Sequence, residues 1–162
     1  MGVDPLSDRL FLSFPGSMTV LEYDRNGFVR EHAFQFPEAI TEFRLAFGPD
    51  GALFGLAGFG ISNDDFRGPW VLRLDPDSDG LSVVAELSHK ATGVMTAFTV
   101  DDKGEIWVIV NPDSNLFHIA ADGTVSLFAA NLPIDMPAIR VDPSGDIYFT
   151  FTGGIYRIYR EA

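Results

Sequence analysis

Short apolar runs rich in β-branched and aromatic residues alternate with tight polar turns along the whole chain. The run 116–119, for example, reaches a turn at Asp122 and Gly123 and continues as the run 124–128. Asp-Gly and Asn-Gly pairs supply the positive φ that tight hairpin turns require. No stretch sustains an i, i+3, i+4 apolar pattern with caps over about ten residues. The pattern therefore predicts an all-β chain built from short antiparallel strands.

The predicted hairpins recur as a repeated unit. Each unit places an apolar residue before a tight turn with glycine and opens the next strand with an aliphatic and then an aromatic residue, as at 47–54, 100–107 and 141–148. A degraded copy at 3–11 lacks the glycine. An insertion at 58–69 explains why the spacings of 44, 53 and 41 residues are unequal between the turn positions Asp4, Gly48, Asp101 and Asp142.

Each unit contains a second hairpin, so it comprises four short strands, here termed a to d. Four-stranded units of about 40 to 45 residues are typical of β-propeller blades, which pack between two neighbours and are apolar on both faces. A content of 46% hydrophobic and 13% aromatic residues fits such blades, whereas a β-sandwich would show cleaner alternation. We expect one domain with four blades at approximately 1–40, 41–93, 94–135 and 136–162.

The first and last blades are expected to be incomplete. The first retains only residues 2–3 of strand a, and the last ends after 154–159 without a strand d. An open arc would leave apolar sheet faces in water. Either the chain is a fragment of a longer propeller, or copies associate to close a ring, for which a dimer of about eight blades is the natural arrangement. A ring of four blades closed by one chain is the third alternative.

Two segments carry a family resemblance. The segment 48–77 opens with Gly-Pro-Asp-Gly-Ala-Leu-Phe, and the segment 141–148 reads Val-Asp-Pro-Ser-Gly-Asp-Ile-Tyr. They resemble blades of NHL-repeat propellers, a superfamily that also includes the regucalcin (gluconolactonase) and streptogramin-lyase groups. The resemblance spans almost the whole chain and implies a β-propeller. Its motifs consist of turn and packing residues, so it implies little about function.

Composition and charge exclude several classes of protein. The 162 residues include 23 acidic and 11 basic side chains, with a net charge of −12 and no cysteine. The chain is too apolar to be disordered, and its apolar runs are too short to cross a membrane as a helix. Without a basic cluster, nucleic acid and anionic membranes are poor partners, and without cysteine there are no disulfides. Residues 1–5 show no signal peptide, which favours a soluble cytoplasmic protein.

In propellers that resemble this chain, the d-to-a and b-to-c connections share the face around the central channel where ligands bind. The insertion at 58–69 is a b-to-c connection that mixes aromatic, acidic and basic residues, and loops on a rigid scaffold commonly carry binding residues. We therefore expect a binding module that takes a small molecule or a protein segment on this loop face. The candidate residues there are Glu42, Asn63, Asp64, Asp65, Arg67, His89, Asn111, Asp113 and Asp135.

The alternative is a metal-dependent hydrolase, lactonase or lyase of the gluconolactonase-like type, so whether the chain is an enzyme stays open. The resemblance implies a divalent metal held by one Glu, Asn residues and an Asp at the channel mouth. Glu42 is the nearest equivalent of that Glu, with His89 and Asp135 beside it. It falls one residue early, however, and the matching positions of the next units hold Thr96 and Pro137. These are poor ligands for a hard dication, which counts against such a site.

One segment matches a calcium-loop signature letter for letter. Asp75, Asp77 and Asp79 precede Gly80, and Glu86 follows six residues later. Carboxylates at alternate residues can converge on a hard cation where glycine permits a sharp turn. Strands flank the segment, however, and Glu86 is expected to end strand d, too far away to close such a site. We predict an acidic hairpin turn and no cofactor, with Ca²⁺ bound by the three aspartates as the alternative.

The three histidines occupy non-equivalent positions in the repeat. His118 stands where strand c carries Arg73 and Arg157 in other units. The repeat therefore predicts that His118 has a role on a sheet face rather than in a ligand site.

Overall fold

A computed structural model of the chain describes residues 1–37, 39–59, 67–87, 95–111, 114–132, 138–151 and 153–159. Within these ranges every regular element is a β-strand, which confirms the all-β prediction. This part of the protein contains no helix with the length and apolar character needed to cross a membrane.

The strands of the described ranges form four antiparallel sheets, and within each sheet the hydrogen-bonded order follows the order along the chain. The first sheet comprises β1 (Gly2–Val3), β2 (Leu10–Ser13), β3 (Thr19–Asp24) and β4 (Gly27–Ala33). The second comprises β5 (Glu42–Phe47), β6 (Leu53–Phe59), β7 (Arg67–Asp75) and β8 (Gly80–Glu86). The third comprises β9 (Met95–Val100), β10 (Ile106–Val110), β11 (Asn115–Ile119) and β12 (Val125–Ala129). The last comprises β13 (Ile139–Val141), β14 (Ile147–Phe151) and β15 (Gly154–Ile158).

The turn between the first two strands repeats the same backbone geometry in the second, third and last sheets. Gly51, Gly104 and Gly145 have φ angles of +79°, +78° and +89°, in the region that glycine adopts without steric cost. In the first sheet Asp8 stands two residues before the second strand, as these glycines do, with a φ of +56°, a conformation that aspartate tolerates better than most residues. The first turn is one residue longer, because the Asp8 N–H donates to the carbonyl four residues earlier, whereas each glycine N–H donates to the carbonyl three residues earlier.

The middle sheets are buried on both faces because each packs between two neighbours. All five residues of β10 are buried, and Trp107 has no exposed surface. Apolar clusters fill the three spaces between consecutive sheets, around Leu72, Val108 and Ile147. This arrangement explains why the strands are apolar throughout instead of alternating cleanly.

The four first strands, β1, β5, β9 and β13, neighbour one another at the inside of the arc. The sheets do not close into a ring. The chain is therefore an incomplete propeller of about four blades, as predicted, with only two residues in β1 and three described strands in the last sheet.

A buried polar network joins the first two sheets. His32 of β4 is 1% exposed; its Nε2 lies 2.9 Å from Glu22 Oε2, and its Nδ1 lies 3.0 Å from Asp79 Oδ1. Arg9 and Arg30 form ion pairs with Glu22 and Asp79 respectively. The hydrogen bond from His32, assisted by Arg30, holds the pKa of Asp79 below its ordinary value. The turn between β7 and β8 is thereby tied to the outer strand of the first sheet.

Candidate ligand site between the inner strands

A cavity of about 550 Å³ lies between the inner strands of all four sheets. Its side-chain lining is largely apolar, with contributions from Val3, Leu45, Phe47, Phe98, Val100 and Ile139. Gly48 and Asp102, in the turns that follow β5 and β9, line one end of it. By the strand order, this end is opposite to the loop face, where the strands a begin and the strands b end.

Two guanidinium groups interrupt the apolar lining of the cavity. Arg44 lies in the middle of β5 and Arg140 in the middle of β13, and both residues are exposed. Neither side chain hydrogen-bonds to, or forms an ion pair with, a residue in the ranges that the structure describes. The cavity lining thus combines two arginine side chains, free of partners within the described residues, with the carboxylates of Asp101 and Asp102.

Glu42, the first residue of β5, is the candidate that the structure places in the most unusual environment. Its Oε2 atom is buried and has no hydrogen-bond partner in the described ranges. Burial raises the pKa of this carboxyl, and the nearby Arg44 guanidinium opposes part of the rise. Glu42 and Arg44 share one face of β5, because residues two apart in a strand point to the same side. The Glu42 Oε2 atom, which has no donor among the described residues, therefore lies close to the Arg44 guanidinium, which has no acceptor among them.

We expect Glu42→Gln to stabilise the free protein at neutral pH. A carboxyl with a raised folded-state pKa stabilises fully only below its unfolded-state pKa of about 4.3, and this contribution is lost as the pH rises through the folded-state pKa. Glutamine does not ionise, so the variant does not lose stability as the pH rises. Its melting temperature should therefore exceed that of the wild type at pH 7, and the difference should shrink towards pH 4. Thermal melts across this range measure it. Asp102→Asn, which removes one exposed charge, is the control. An equal rise in its melting temperature would contradict the claim that the burial of Glu42 causes the effect.

The other predicted site residues are described only in part. Asn111 follows β10 and is half-buried, and its Oδ1 accepts a hydrogen bond from Ser114 Oγ at 2.9 Å. Arg67 begins β7 and pairs through its backbone with Phe59, while its side chain lies outside the description. The remaining candidates fall outside the described residues: Asn63, Asp64, Asp65, His89, Asp113 and Asp135.

The acidic turn between β7 and β8 is held together by its own hydrogen bonds. Asp75 accepts from the Asp77 N–H at 3.0 Å and from Ser78 Oγ at 2.6 Å, and these bonds lower the pKa of Asp75. Asp79 instead faces the His32 network, and Glu86 ends β8, as expected from the sequence. In the described ranges no three acidic or histidine side chains form a group that could hold a metal. Asp75 and Asp79 of the predicted signature are thus both engaged by protein donors.

His118 is part of a repeated polar pair between the second and third strands. Its Nε2 lies 3.0 Å from Glu105 Oε2, and its ring stacks on Trp107 with centroids 4.4 Å apart. Asp146 and Arg157 form the equivalent pair in the last sheet. The role on a sheet face that the repeat predicts for His118 is therefore confirmed.

Arg44 and Arg140 are absent from the candidates predicted from the sequence, which were sought in connections between strands. A signal for them exists in the hydropathy pattern. Each is a lone charged residue between two apolar residues of a strand a, at Phe43 and Leu45 for the first. Both side chains nevertheless line the central cavity, at the inner edge of a sheet face.

No protein-family model and no curated protein sequence matches the chain, but solved structures match its fold. A streptogramin B lyase structure is 17% identical, covering 93% of this chain and 47% of that chain with a TM-score of 0.66. YCF48 bound to D1 peptide is 17% identical, covering 91% of this chain and 46% of that chain with a TM-score of 0.65. The WD40 β-propeller domain of Doa1 is 13% identical, covering 99% and 49% with a TM-score of 0.61. The chain spans about half the length of each of these, and it therefore has the fold of part of a β-propeller, similar to streptogramin-lyase and WD40 propellers.

Proposed function

We propose that the protein is a binding module whose central cavity takes a ligand with an apolar body and an acidic group. The carrying observation is that the guanidinium groups of Arg44 and Arg140, which have no hydrogen-bond or ion-pair partner among the described residues, lie in one cavity with apolar side chains and with the carboxylates of Asp101 and Asp102. Concave, mostly apolar cavities with a few convergent polar groups are the usual form of small-molecule sites. The acidic group belongs either to a small molecule or to the end of a protein segment.

The two parts of the lining act on different parts of such a ligand. Burial of an apolar body against the partly exposed Phe47, Phe98 and Val100 contributes about 25 cal/mol per Å² removed from water. The planar arginine fork recognises a carboxylate through two charge-assisted hydrogen bonds. The Asp101 carboxylate, also in the lining, does not oppose this, because Trp107 and backbone N–H groups already engage it.

A longer ligand would also reach the candidate residues on the loop face. Glu42 lies one pleat beyond Arg44 towards that face. A ligand that reaches this far also meets the connections that hold the other predicted residues: Asn63, Asp64, Asp65, Arg67, His89, Asn111, Asp113 and Asp135.

A thermal-shift experiment with benzoate tests the proposal. Millimolar benzoate should raise the melting temperature of the wild type, whereas its neutral analogue benzyl alcohol should not. Arg44→Ala should abolish the benzoate shift, and Arg25→Ala, which removes an exposed turn arginine, should retain it. The peptide acetyl-Gly-Phe, with a free carboxylate, represents the end of a protein segment. A larger shift with the peptide than with benzoate favours the protein segment as the source of the acidic group.

Two outcomes of this experiment would contradict the proposal. One is no shift with either carboxylate, and the other is an equal shift in wild type and Arg44→Ala. Benzyl alcohol as effective as benzoate would show that the guanidinium groups take no part.

The metal-dependent hydrolase remains the second candidate because of the unpartnered oxygen of Glu42. A divalent cation would be an alternative partner for that oxygen. We expect millimolar Mg²⁺ or Ca²⁺ to leave the melting temperature unchanged. A shift that disappears in Glu42→Gln would favour the hydrolase, and a Ca²⁺ shift that disappears in Asp75→Asn would instead identify the acidic turn as a calcium site.

A further inference from the structure

The outward face of the first sheet is apolar. A row of paired residues crosses all four strands: Val3 pairs with Leu10, Leu10 with Tyr23, and Tyr23 with Phe28. Directly paired residues lie on the same face of a sheet. Phe28 is 58% exposed and Val3 55%. Contiguous exposed apolar rows of this kind mark interaction surfaces in soluble proteins.

The repeat shows what normally covers this face. Leu53 and Leu74 of the second sheet occupy the positions of Leu10 and Tyr23, and they are 2% and 3% exposed because the first sheet packs on them. The same positions in the first sheet are half-buried, since no sheet precedes it in the described chain. The face is therefore built to receive the opposite face of another blade.

The outward face of the last sheet is the other half of such a contact. Arg140, Tyr148 and Arg157 pair in a row across its three strands, and the Arg157 guanidinium lies 4.2 Å from the ring centroid of Tyr159. Ile155 on the same face is 70% exposed. Tyr148 occupies the repeat position of Trp107, which is fully buried by the neighbouring sheet. Among the described residues, no sheet covers this face.

We propose that a second copy of this chain supplies both missing neighbours. The first-sheet face of each copy meets the last-sheet face of the other, twice, about a two-fold axis that runs along the central channel. The chain covers 44% to 57% of seven solved structures that match its fold, so two copies supply the blades of about one ring.

Closure would also complete the wall of the central cavity. One copy contributes four inner strands to it, and the partner would contribute four more, including a second Arg44 and a second Arg140. This inference does not depend on the proposed ligand, because the open faces exist whether or not the cavity binds anything. A failure of the benzoate experiment would leave it intact.

Sedimentation equilibrium of the 162-residue chain at micromolar concentration tests the proposal. We expect a mass of about 36 kDa, twice the chain mass of 17.8 kDa. Phe28→Lys and Ile155→Lys should each give monomers, whereas Val83→Lys, which alters a 53% exposed residue on an outer strand, should remain dimeric. Far-ultraviolet circular dichroism checks that each variant keeps its strands.

A mixture of the two dissociating variants distinguishes this arrangement from other dimers. Phe28→Lys retains a normal last-sheet face and Ile155→Lys a normal first-sheet face, so an equimolar mixture should regain part of the dimer through one intact contact. A dimer that pairs like faces would survive one of the single variants and would contradict the proposal. A wild-type monomer would overturn it and would instead favour the remainder of a longer polypeptide as the cover for both faces.

Discussion

Replacing His32 with Ala should lower the free energy of unfolding by about 3–5 kcal/mol, because it removes two hydrogen bonds to carboxylates, each worth about 1.5–3 kcal/mol. The ring is 1% exposed, faces Glu22 and Asp79 through its two nitrogens, and lies between Phe11 and Phe34, with centroids 5.9 Å and 6.2 Å away. Ala would leave a cavity and remove both hydrogen bonds across the interface between the first two sheets. Chemical denaturation at pH 7 measures the effect.

His118→Ala is the matched control for this prediction. His118 also hydrogen-bonds to a carboxylate and stacks on an aromatic ring, but its side chain is 18% exposed and has one acidic partner in place of two. We expect a cost of about 1–2 kcal/mol, close to that of one hydrogen bond with a charged group. Equal costs for the two variants would show that the network around His32 adds no stability beyond a single pair.

Asp101→Ala should cost about 3 kcal/mol, because three donors lose their acceptor. Asp101 is 4% exposed and accepts from the N–H groups of Lys103 and Glu105 and from Trp107 Nε1 at 3.0, 2.9 and 3.1 Å. Trp107 is fully buried, so its indole N–H cannot find water as a substitute. For a chain of this size we expect the melting temperature to fall by about 6–12 °C.

Asp142→Ala provides the comparison at the same position of the repeat. Asp142 accepts from the N–H groups of Ser144 and Asp146 at 2.9 and 3.0 Å and from Ser144 Oγ at 2.6 Å, and in place of the buried tryptophan it has the partly exposed Tyr148 as a hydrogen-bond partner. Since the turn is open to solvent, water can take over these donors, and a cost of about 1 kcal/mol is expected. If Asp142→Ala were as costly as Asp101→Ala, the stability would come from the turn and not from the buried indole.

The blade repeat could be predicted because its physical causes are local. A positive φ at Gly51, Gly104 and Gly145 is a requirement of the turn itself, and only a few residue types meet it. The apolar composition on both sides of each strand then indicates sheets stacked between neighbours. Strand order followed directly, since consecutive hairpins leave little freedom in how the strands pair.

The candidate site could be predicted only in part, because it depends on which residues meet across different blades. Glu42 was identified from its position at the start of a strand a, whereas Arg44 was not, although the two lie on one face of β5. Whether a strand residue faces a neighbouring sheet or the central cavity depends on the curvature of the arc, which no single repeat contains.

The contact between His32 and Asp79 likewise depends on tertiary structure and could not be predicted from the local sequence. The two residues are 47 positions apart and belong to different repeats, and Asp79 looks in sequence like one ligand of a calcium loop. Tertiary structure assigns its carboxylate to a histidine of the preceding sheet. The sequence alone determined the strands, their turns and their repetition, because these follow from local backbone preference and hydropathy. The partners of charged side chains, and the two sheet faces left without a neighbour, were decided only when the sheets packed together, because desolvation and pairing of charges depend on what each face meets in space.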